Sequence, residues 1–324
     1  MDMQNITLRR ITAADDGEIA AIIRASLEGY GLNMPGTAYF DPELDHLSAH
    51  YCAAPDRRAY FIAEVDGRVL GGAGLAEFTG IAGCAELQKL YLADAVRGMG
   101  LGRRLMQAVE VEARRLGYDK IYLETHSALK AAIGLYEKLG FEKIDRPVCV
   151  KHGTMDCFYM KNIWENADEA ALDERFMRMA IELSKAAVEH GNEPFGAVLV
   201  RDGKIAFTNE NQIHTRHDPT FHGEAGLIRE FCGKTGVTDL SQYTMYSSCE
   251  PCFMCSGAMV WARLGRLVYA ASNMDLERIF GETGCECAQL VFEHSSWKPK
   301  VTAGVLREES LEVLQNYFGS RTDK

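Results

Sequence analysis

The sequence predicts an α/β protein of two domains. Three observations predict it: the length, an alternation of strand-like and helix-like segments in both halves, and one polar break between them. The chain has 324 residues, 47% of them hydrophobic, which at roughly 100–200 residues per domain gives two ordinary cores. Between Lys161 and Asp173 the apolar periodicity lapses into Asn162-Ile163-Trp164-Glu165-Asn166-Ala167-Asp168-Glu169. We therefore expect a first domain at residues 1–163, a linker at 164–171 and a second domain at 172–324. The same acidic run would also suit the start of a helix, where the dipole favours negative charge.

In the first half, Tyr60–Val65 and Arg68–Leu75 read as strands around the turn pair Asp66-Gly67. Glu86–Leu92 reads as a strand. Gly102–Leu116 reads as a helix, because Leu105, Val109, Ala113 and Leu116 recur at three and four residues. Lys120–Glu124, Leu129–Leu139 and Met155–Met160 continue as strand, helix and strand. The second half opens with a helix, Glu174–His190, carrying the stripe Phe176, Met179, Leu183 and Ala187. Ala197–Val200 and Lys204–Phe207 flank a second turn pair, Asp202-Gly203. His222–Phe231 and Phe253–Ala262 read as helices, and Thr244–Ser247 and Arg266–Ala270 as strands. This alternation favours layered helices and sheets in both halves.

Charge narrows the function. The net charge is −11. Residues 1–163 hold 19 basic and 22 acidic side chains, and residues 164–324 hold 16 and 24. A protein that grips a phosphate backbone normally presents a basic surface, so the acidic second half argues against a nucleic-acid substrate. No run of about 18 apolar residues predicts a membrane helix. Met1–Arg10 lacks the basic-then-apolar pattern of a secretory signal, so a cytoplasmic setting is expected. There the ten cysteines would be reduced or metal-bound rather than paired.

Six cysteines fall in the second half, and two form a motif. His222-Gly223-Glu224 precedes Pro251-Cys252-Phe253-Met254-Cys255, with Cys252 30 residues after His222. Zinc prefers nitrogen and sulfur ligands in a tetrahedral shell. A Cys-x-x-Cys pair at a helix start aims two sulfurs at one point, and the helix dipole favours their thiolates. His222, also at a helix start, supplies a third ligand. One position then stays open, as in catalytic zinc sites, where a water is acidified to a pKa of about 7. Glu224 is placed to carry protons without binding the metal. Thiol redox chemistry is a second use of Cys-x-x-Cys, but it leaves His222 and Glu224 without a role. A structural zinc would need a fourth protein ligand, for which Cys249, Cys285 and Cys287 are available.

The H-x-E…P-C-x-x-C pattern matches the zinc deaminase signature. Together with Pro194-Phe195-Gly196-Ala197-Val198-Leu199-Val200, Asp218–Glu224 and Ser248-Cys249-Glu250-Pro251-Cys252, it resembles the cytidine/deoxycytidylate deaminase superfamily. The nearest branch is that of bacterial guanine deaminases and tRNA adenosine deaminases. The resemblance covers about residues 172–280. It implies a five-stranded sheet sandwiched by helices, a homodimer, a zinc ion, and hydrolysis of a ring amine to a carbonyl and ammonia. It implies that Asn211 binds the substrate's amide edge and that Phe195 and Trp261 line the base pocket. Ser247 and Ser248 read as turn residues. The family motif has alanine where Gly223 stands, which loosens the helix start. An acidic purine reader would fall near Glu282 or Thr283, and Cys285-Glu286-Cys287 has no counterpart in the family pattern.

In the first half, Arg97-Gly98-Met99-Gly100-Leu101-Gly102 precedes a helix. Glycines let backbone N–H groups approach a pyrophosphate at a helix N-terminus. The loop follows a hairpin in mid-domain, which does not suit a dinucleotide fold. With Glu86–Leu92 and Ala132-Ile133-Gly134-Leu135-Tyr136-Glu137-Lys138-Leu139-Gly140-Phe141, the half resembles the GNAT acetyltransferase superfamily, over most of residues 5–161. The resemblance implies a mixed sheet with helices and an acetyl-CoA cofactor. The loop from Arg97 to Arg103 would hold the pyrophosphate, and Leu90, Tyr91 and Leu92 would pair with the pantetheine arm. Tyr136 would protonate the leaving thiolate and Glu86 would deprotonate an acceptor amine. The expectation is therefore a fused deaminase and acetyltransferase. Two alternatives stay open: an acetyl-CoA sensor or scaffold in the first half, and a tRNA-editing deaminase in the second.

Overall fold

The computed structural model describes residues 6–147, 150, 153–165, 167–281 and 284–319. It divides into two compact units, Met1–Asn166 and Ala167–Lys324, and each is described by itself.

The first unit runs β1 (Thr7–Arg10), α1 (Asp16–Gly29), α2 (Leu47–Cys52), β2 (Ala59–Val65), β3 (Arg68–Glu77) and β4 (Cys84–Leu92). It continues with α3 (Leu101–Arg115), β5 (Lys120–Thr125), α4 (Lys130–Lys138), β6 (Glu142–Ile144) and β7 (Cys157–Asn162). The strands form one sheet in the order β1-β2-β3-β4-β5-β7-β6. Asp66 and Gly67 both take positive φ, 48° and 76°, and turn β2 into antiparallel β3. That is the backbone a two-residue hairpin needs. Among the described residues of this unit only β4 and β5 pair in parallel, which makes the sheet mixed. Ile19, Ile23 and Leu27 of α1 pack with Tyr60 and Ile62 of β2, all buried. Each such side chain contributes roughly 1.5–3 kcal/mol of burial.

The second unit runs α5 (Glu169–Glu189), β8 (Gly196–Arg201), β9 (Lys204–Glu210), α6 (Gly223–Thr235), β10 (Thr244–Cys249) and α7 (Phe253–Trp261). It ends with β11 (Arg266–Ala271), α8 (Asn273–Ile279), α9 (Cys287–Glu293), β12 (Lys300–Ala303) and α10 (Arg307–Phe318). Its sheet has five strands in the order β12-β11-β10-β8-β9. Side-chain alternation in the strands builds both layers of a sandwich. Ala197, Leu199, Met245 and Leu267 pack on one face with Leu227 and Phe231 of α6, Met259 of α7 and Phe292 of α9. Val198, Val200, Tyr246 and Val268 pack on the other with Phe176, Ala180 and Ile181 of α5. The unit is an α/β/α sandwich, as its family resemblance implies.

The expected linker divides between structured segments. Ile163 and Trp164 are buried in the first unit, and Trp164 Nε1 donates to the Tyr118 carbonyl at 3.0 Å. Asp168 caps α5, accepting from Ala171 N–H at 2.8 Å. The helix therefore starts five residues before its expected first residue, Glu174. A side-chain cap outweighs the lack of apolar periodicity in the first turn. Asp173 then anchors α5 to the sheet. It takes both terminal nitrogens of Arg266, at 2.7 and 2.6 Å, and the Tyr246 hydroxyl at 2.8 Å. Stranding one partner of a buried ion pair costs about 3–5 kcal/mol, and the loss here falls below that because Arg266 keeps Glu169 at 3.1 Å and Thr302 at 3.0 Å. Asp173→Ala is accordingly expected to speed amide hydrogen exchange in β10 and β11 while leaving β2–β4 unchanged.

Candidate functional site

Two helix starts meet in the second unit. His222 is the N-cap of α6 and Cys252 the N-cap of α7, both in extended backbone, and Cys255 lies one turn into α7. Their ligand atoms all lie within 4.8 Å of one another. His222 Nδ1 and Cys252 Sγ are 3.6 Å apart. Zn–N and Zn–S bonds of about 2.0–2.3 Å at tetrahedral angles give edges of roughly 3.5–3.8 Å. The donor set and its spacing fit a zinc ion. Among the described residues no other His, Cys, Asp or Glu joins this cluster. Cys249, Cys285 and Cys287 are therefore not a fourth ligand, and the structural-zinc alternative loses its shell.

The electrostatics follow from the same contacts. A hydrogen bond from Cys255, opposed by burial and reinforced by His222, pulls the Cys252 thiol down to about 4. Cys255 is pushed up by that hydrogen bond and by its burial. The direction for the pair is that Cys252 ionises first. Its hydrogen bond, opposed by burial, and then the charges of Glu224 and of Cys252 itself raise His222 in turn. Glu224 is buried, 6% exposed, in the first turn of α6. Burial first, and then the charge of Cys252, raise its carboxyl above the usual range. Oε1 accepts from Ser247 Oγ at 2.9 Å and Oε2 from Cys255 Sγ at 3.5 Å. The carboxyl thus borders the ligand set without belonging to it.

Ser247 and Ser248 are strand residues of β10, not turn residues. Ser247 orients Glu224, and Ser248 Oγ accepts from Gly196 N–H at 3.0 Å while its carbonyl takes Ser310 Oγ at 2.6 Å. Two hydroxyls inside a buried strand that ends at Cys249-Glu250-Pro251-Cys252 were the available signal. Asn211 is fully buried and held by its N–H to the Phe195 carbonyl at 2.8 Å. Its Oδ1 accepts from Ile213 N–H at 3.1 Å, while its Nδ2 has no partner among the described residues. A buried amide donor left unpaired costs about 1–3 kcal/mol, so Nδ2 is suited to a ligand. Phe195 is half-buried and packs toward Phe318 at 6.3 Å. A methyl added at Gly223 would lie 3.4 Å from the Phe195 carbonyl, so the alanine of the family motif fits there.

Trp261 departs from expectation. It is 88% exposed in this chain. The buried positions of α7 are Cys255, Ser256 and Met259, and Trp261 falls off that stripe at the helix's last residue. Glu282 and Thr283 lie outside the described residues.

The first unit holds a cavity of about 670 Å³. Its shape begins in β4. Pairing with parallel β5 ends at Glu86 opposite Tyr122, while pairing with β3 runs on to Leu92. Lys89 takes φ 52° at a bulge, where Lys89 and Leu90 together face Ala73. The far edge of Leu90, Tyr91 and Leu92 therefore borders the cavity and is available to an extended arm. Gly100 takes φ 82° as the N-cap of α3, a conformation that only glycine adopts without strain. The loop turns there so that Arg97, Gly98, Gly100, Gly102 and Arg103 line the cavity. Met99 does not line it, and Leu101 is fully buried in the core. Glu86 and Tyr136 are both buried and border the same cavity. Burial raises the Tyr136 phenol, which stays protonated at neutral pH. Glu86 Oε2 accepts from Gln88 Nε2 at 2.6 Å, and Gln88 Oε1 accepts from Tyr51 at 2.9 Å.

Known proteins divide along the same boundary. The acetyltransferase (GNAT) family model matches residues 30–141. The cytidine and deoxycytidylate deaminase zinc-binding region matches residues 170–271. The uncharacterized N-acetyltransferase YjgM of Escherichia coli is 41% identical over 157 residues, 48% of this chain and 92% of its own. A guanine deaminase of Bacillus subtilis is 43% identical over 103 residues, 32% of this chain and 66% of its own. A tRNA-specific adenosine deaminase of Agrobacterium fabrum is 33% identical over 149 residues, 44% of this chain and 91% of its own. The chain belongs to the GNAT acetyltransferase family through its first unit and to the zinc-dependent cytidine and deoxycytidylate deaminase family through its second.

Proposed function

We propose that the second unit hydrolyses the ring amine of a small nucleobase or nucleoside, with guanine or a related purine favoured. The observation that carries this reading is a buried Glu224 carboxyl beside a three-ligand cluster, with Asn211 Nδ2 unsatisfied among the described residues of the same unit. His222, Cys252 and Cys255 would hold zinc, which when bound acidifies a water at its open position. Glu224 would carry the attacking water's first proton to the ring nitrogen, and its second, from the hydroxyl added to the ring carbon, to the amino group that leaves as ammonia. Its raised affinity for protons suits that shuttle. Ser247 would keep one carboxyl oxygen fixed while the other moves the proton. Asn211 would donate Nδ2 to an acceptor on the base edge, and Phe195 would contact its face.

The similarity to a guanine deaminase supports a free base, and the net charge of −8 over residues 164–324 argues against a tRNA. We propose further that the protein is a homodimer, with Trp261, Phe253 and Met254 of α7, all exposed in one chain, covered in the pair. Thiolate metal ligands suit the reducing cytoplasm, where we place the protein. No helix among the described residues is long and apolar enough to cross a membrane.

For the first unit we propose acetyl transfer from acetyl-CoA to a small amine. The amides at the start of α3 would bind the pyrophosphate, and β4 would pair with the pantetheine arm. Glu86 would take a proton from the amine, and Tyr136 would give one to the leaving thiolate.

Ammonia release by the zinc-loaded protein from free bases, nucleosides and aminotriazines tests the deaminase reading. Activity on guanine or a near relative is expected, and Asn211→Ala should lower kcat/KM about 10–100-fold with zinc content unchanged. Silence across the panel with one zinc per chain would overturn the substrate class. For the acetyltransferase, Tyr136→Phe should slow amine acetylation by about 10²–10⁴-fold while acetyl-CoA still binds. Unchanged turnover would remove Tyr136 as the acid.

A further inference from the structure

Cys285-Glu286-Cys287 takes no part in either site above. In the structure its two sulfurs lie 3.3 Å apart, in contact. The backbone accounts for the approach. Cys287 N–H bonds to the Cys285 carbonyl at 3.0 Å, and Glu286 sits at φ −79°, ψ 77°, the conformation of an inverse γ-turn. An extended tripeptide would hold its end Cα atoms about 6.6–6.8 Å apart, at the limit for a disulfide. The γ-turn shortens that span. The turn is anchored from the far side. Ala288 N–H donates to Glu250 Oε1 at 3.0 Å, and Glu250 Oε2 accepts from Asn273 N–H at 2.9 Å. The two sulfurs differ in access: Cys285 is exposed and Cys287 buried.

We infer that Cys285 and Cys287 form a thiol–disulfide exchange site that reacts with low-molecular-weight disulfides. Cys285, the accessible sulfur, attacks one sulfur of the reagent R–S–S–R. An S–S bond to Cys285 forms, the reagent's S–S bond breaks, and R–S⁻ leaves and takes a proton. Cys287 gives its proton to solvent and attacks the Cys285 sulfur, expelling the second R–S⁻, which is protonated in turn. The protein loses two protons, one from each cysteine, and two electrons, and the reagent takes them up as two thiols. Burial, and then the hydrogen bond with Cys285, push the Cys287 thiol up, in keeping with a second sulfur that reacts only after the first is engaged. A disulfide closed across three residues beside an exposed sulfur is of the labile kind, reversible by cellular thiols.

The test treats the full zinc-loaded chain with oxidised glutathione and follows the tryptic peptide 279–300, whose only cysteines are these two. The exposed Cys52 reports general thiol reactivity, and zinc content reports the metal ligands. The expected result is a peptide lighter by two hydrogens, restored by dithiothreitol, with zinc retained. Cys287→Ser should instead hold a glutathione adduct on Cys285 that does not resolve. A wild-type peptide that keeps the same lasting adduct would overturn the inference. So would a peptide that stays reduced while Cys52 reacts.

Discussion

Everything in the second unit turns on bringing two helix N-termini to one point. A single helix start offers unpaired N–H groups and a partial positive charge. Two of them, capped by His222 and Cys252, make a place where thiolates are favoured and a divalent cation can be held. The same convergence creates the electrostatic problem that Glu224 shares. A carboxyl buried beside a thiolate resists ionising, which suits the proton-carrying part proposed for it.

Holding that point requires the sheet. β10 ends at Cys249, directly before Glu250 and Pro251, so the strand delivers Cys252 while its Ser247 reaches Glu224. Glu250 accepts N–H groups from the starts of α8 and α9 and fixes the C-terminal segment to the same strand end. Gly196 lets β8 lie against α5, since a Cβ there would come within 2.3 Å of the Ala180 carbonyl. The packing layers are thus the frame for a few polar contacts, and the chemistry sits where strand ends meet helix starts. The first unit follows the same rule with other means. There a bulge at Lys89 and a left-handed Gly100 open a cavity between β4 and α3.

Much of this was legible in the chain. The Asp-Gly pairs at 66–67 and 202–203 fixed both hairpins, because few other dipeptides take two positive φ angles cheaply. The spacing of His222, Glu224, Cys252 and Cys255 announced a three-ligand cluster with an acid beside it, and the structure brings those side chains together. What stayed hidden depends on tertiary contact. Helices α8–α10 and strands β1, β6 and β12 are short or weakly patterned, and long-range partners hold some of them, as Arg307 does Asp275. Helix α1 is different, for Ile19, Ile23 and Leu27 repeat every four residues, a period that was legible but is missing from the expected elements. Ser247 looked like a turn residue because only the folded strand shows that its hydroxyl meets Glu224. Trp261 looked like a pocket residue because the family pattern does not report which face of α7 it occupies. The start of α5 was misplaced because one capping bond from Asp168 carries no apolar period.

The central claim is that Glu224 moves protons next to a metal it does not hold. Zinc content and deamination measured together on Glu224→Gln test it most directly. The account predicts one zinc per chain and turnover reduced by about 10²–10⁴-fold on any base the wild-type protein deaminates. Turnover that persists with zinc in place would contradict it.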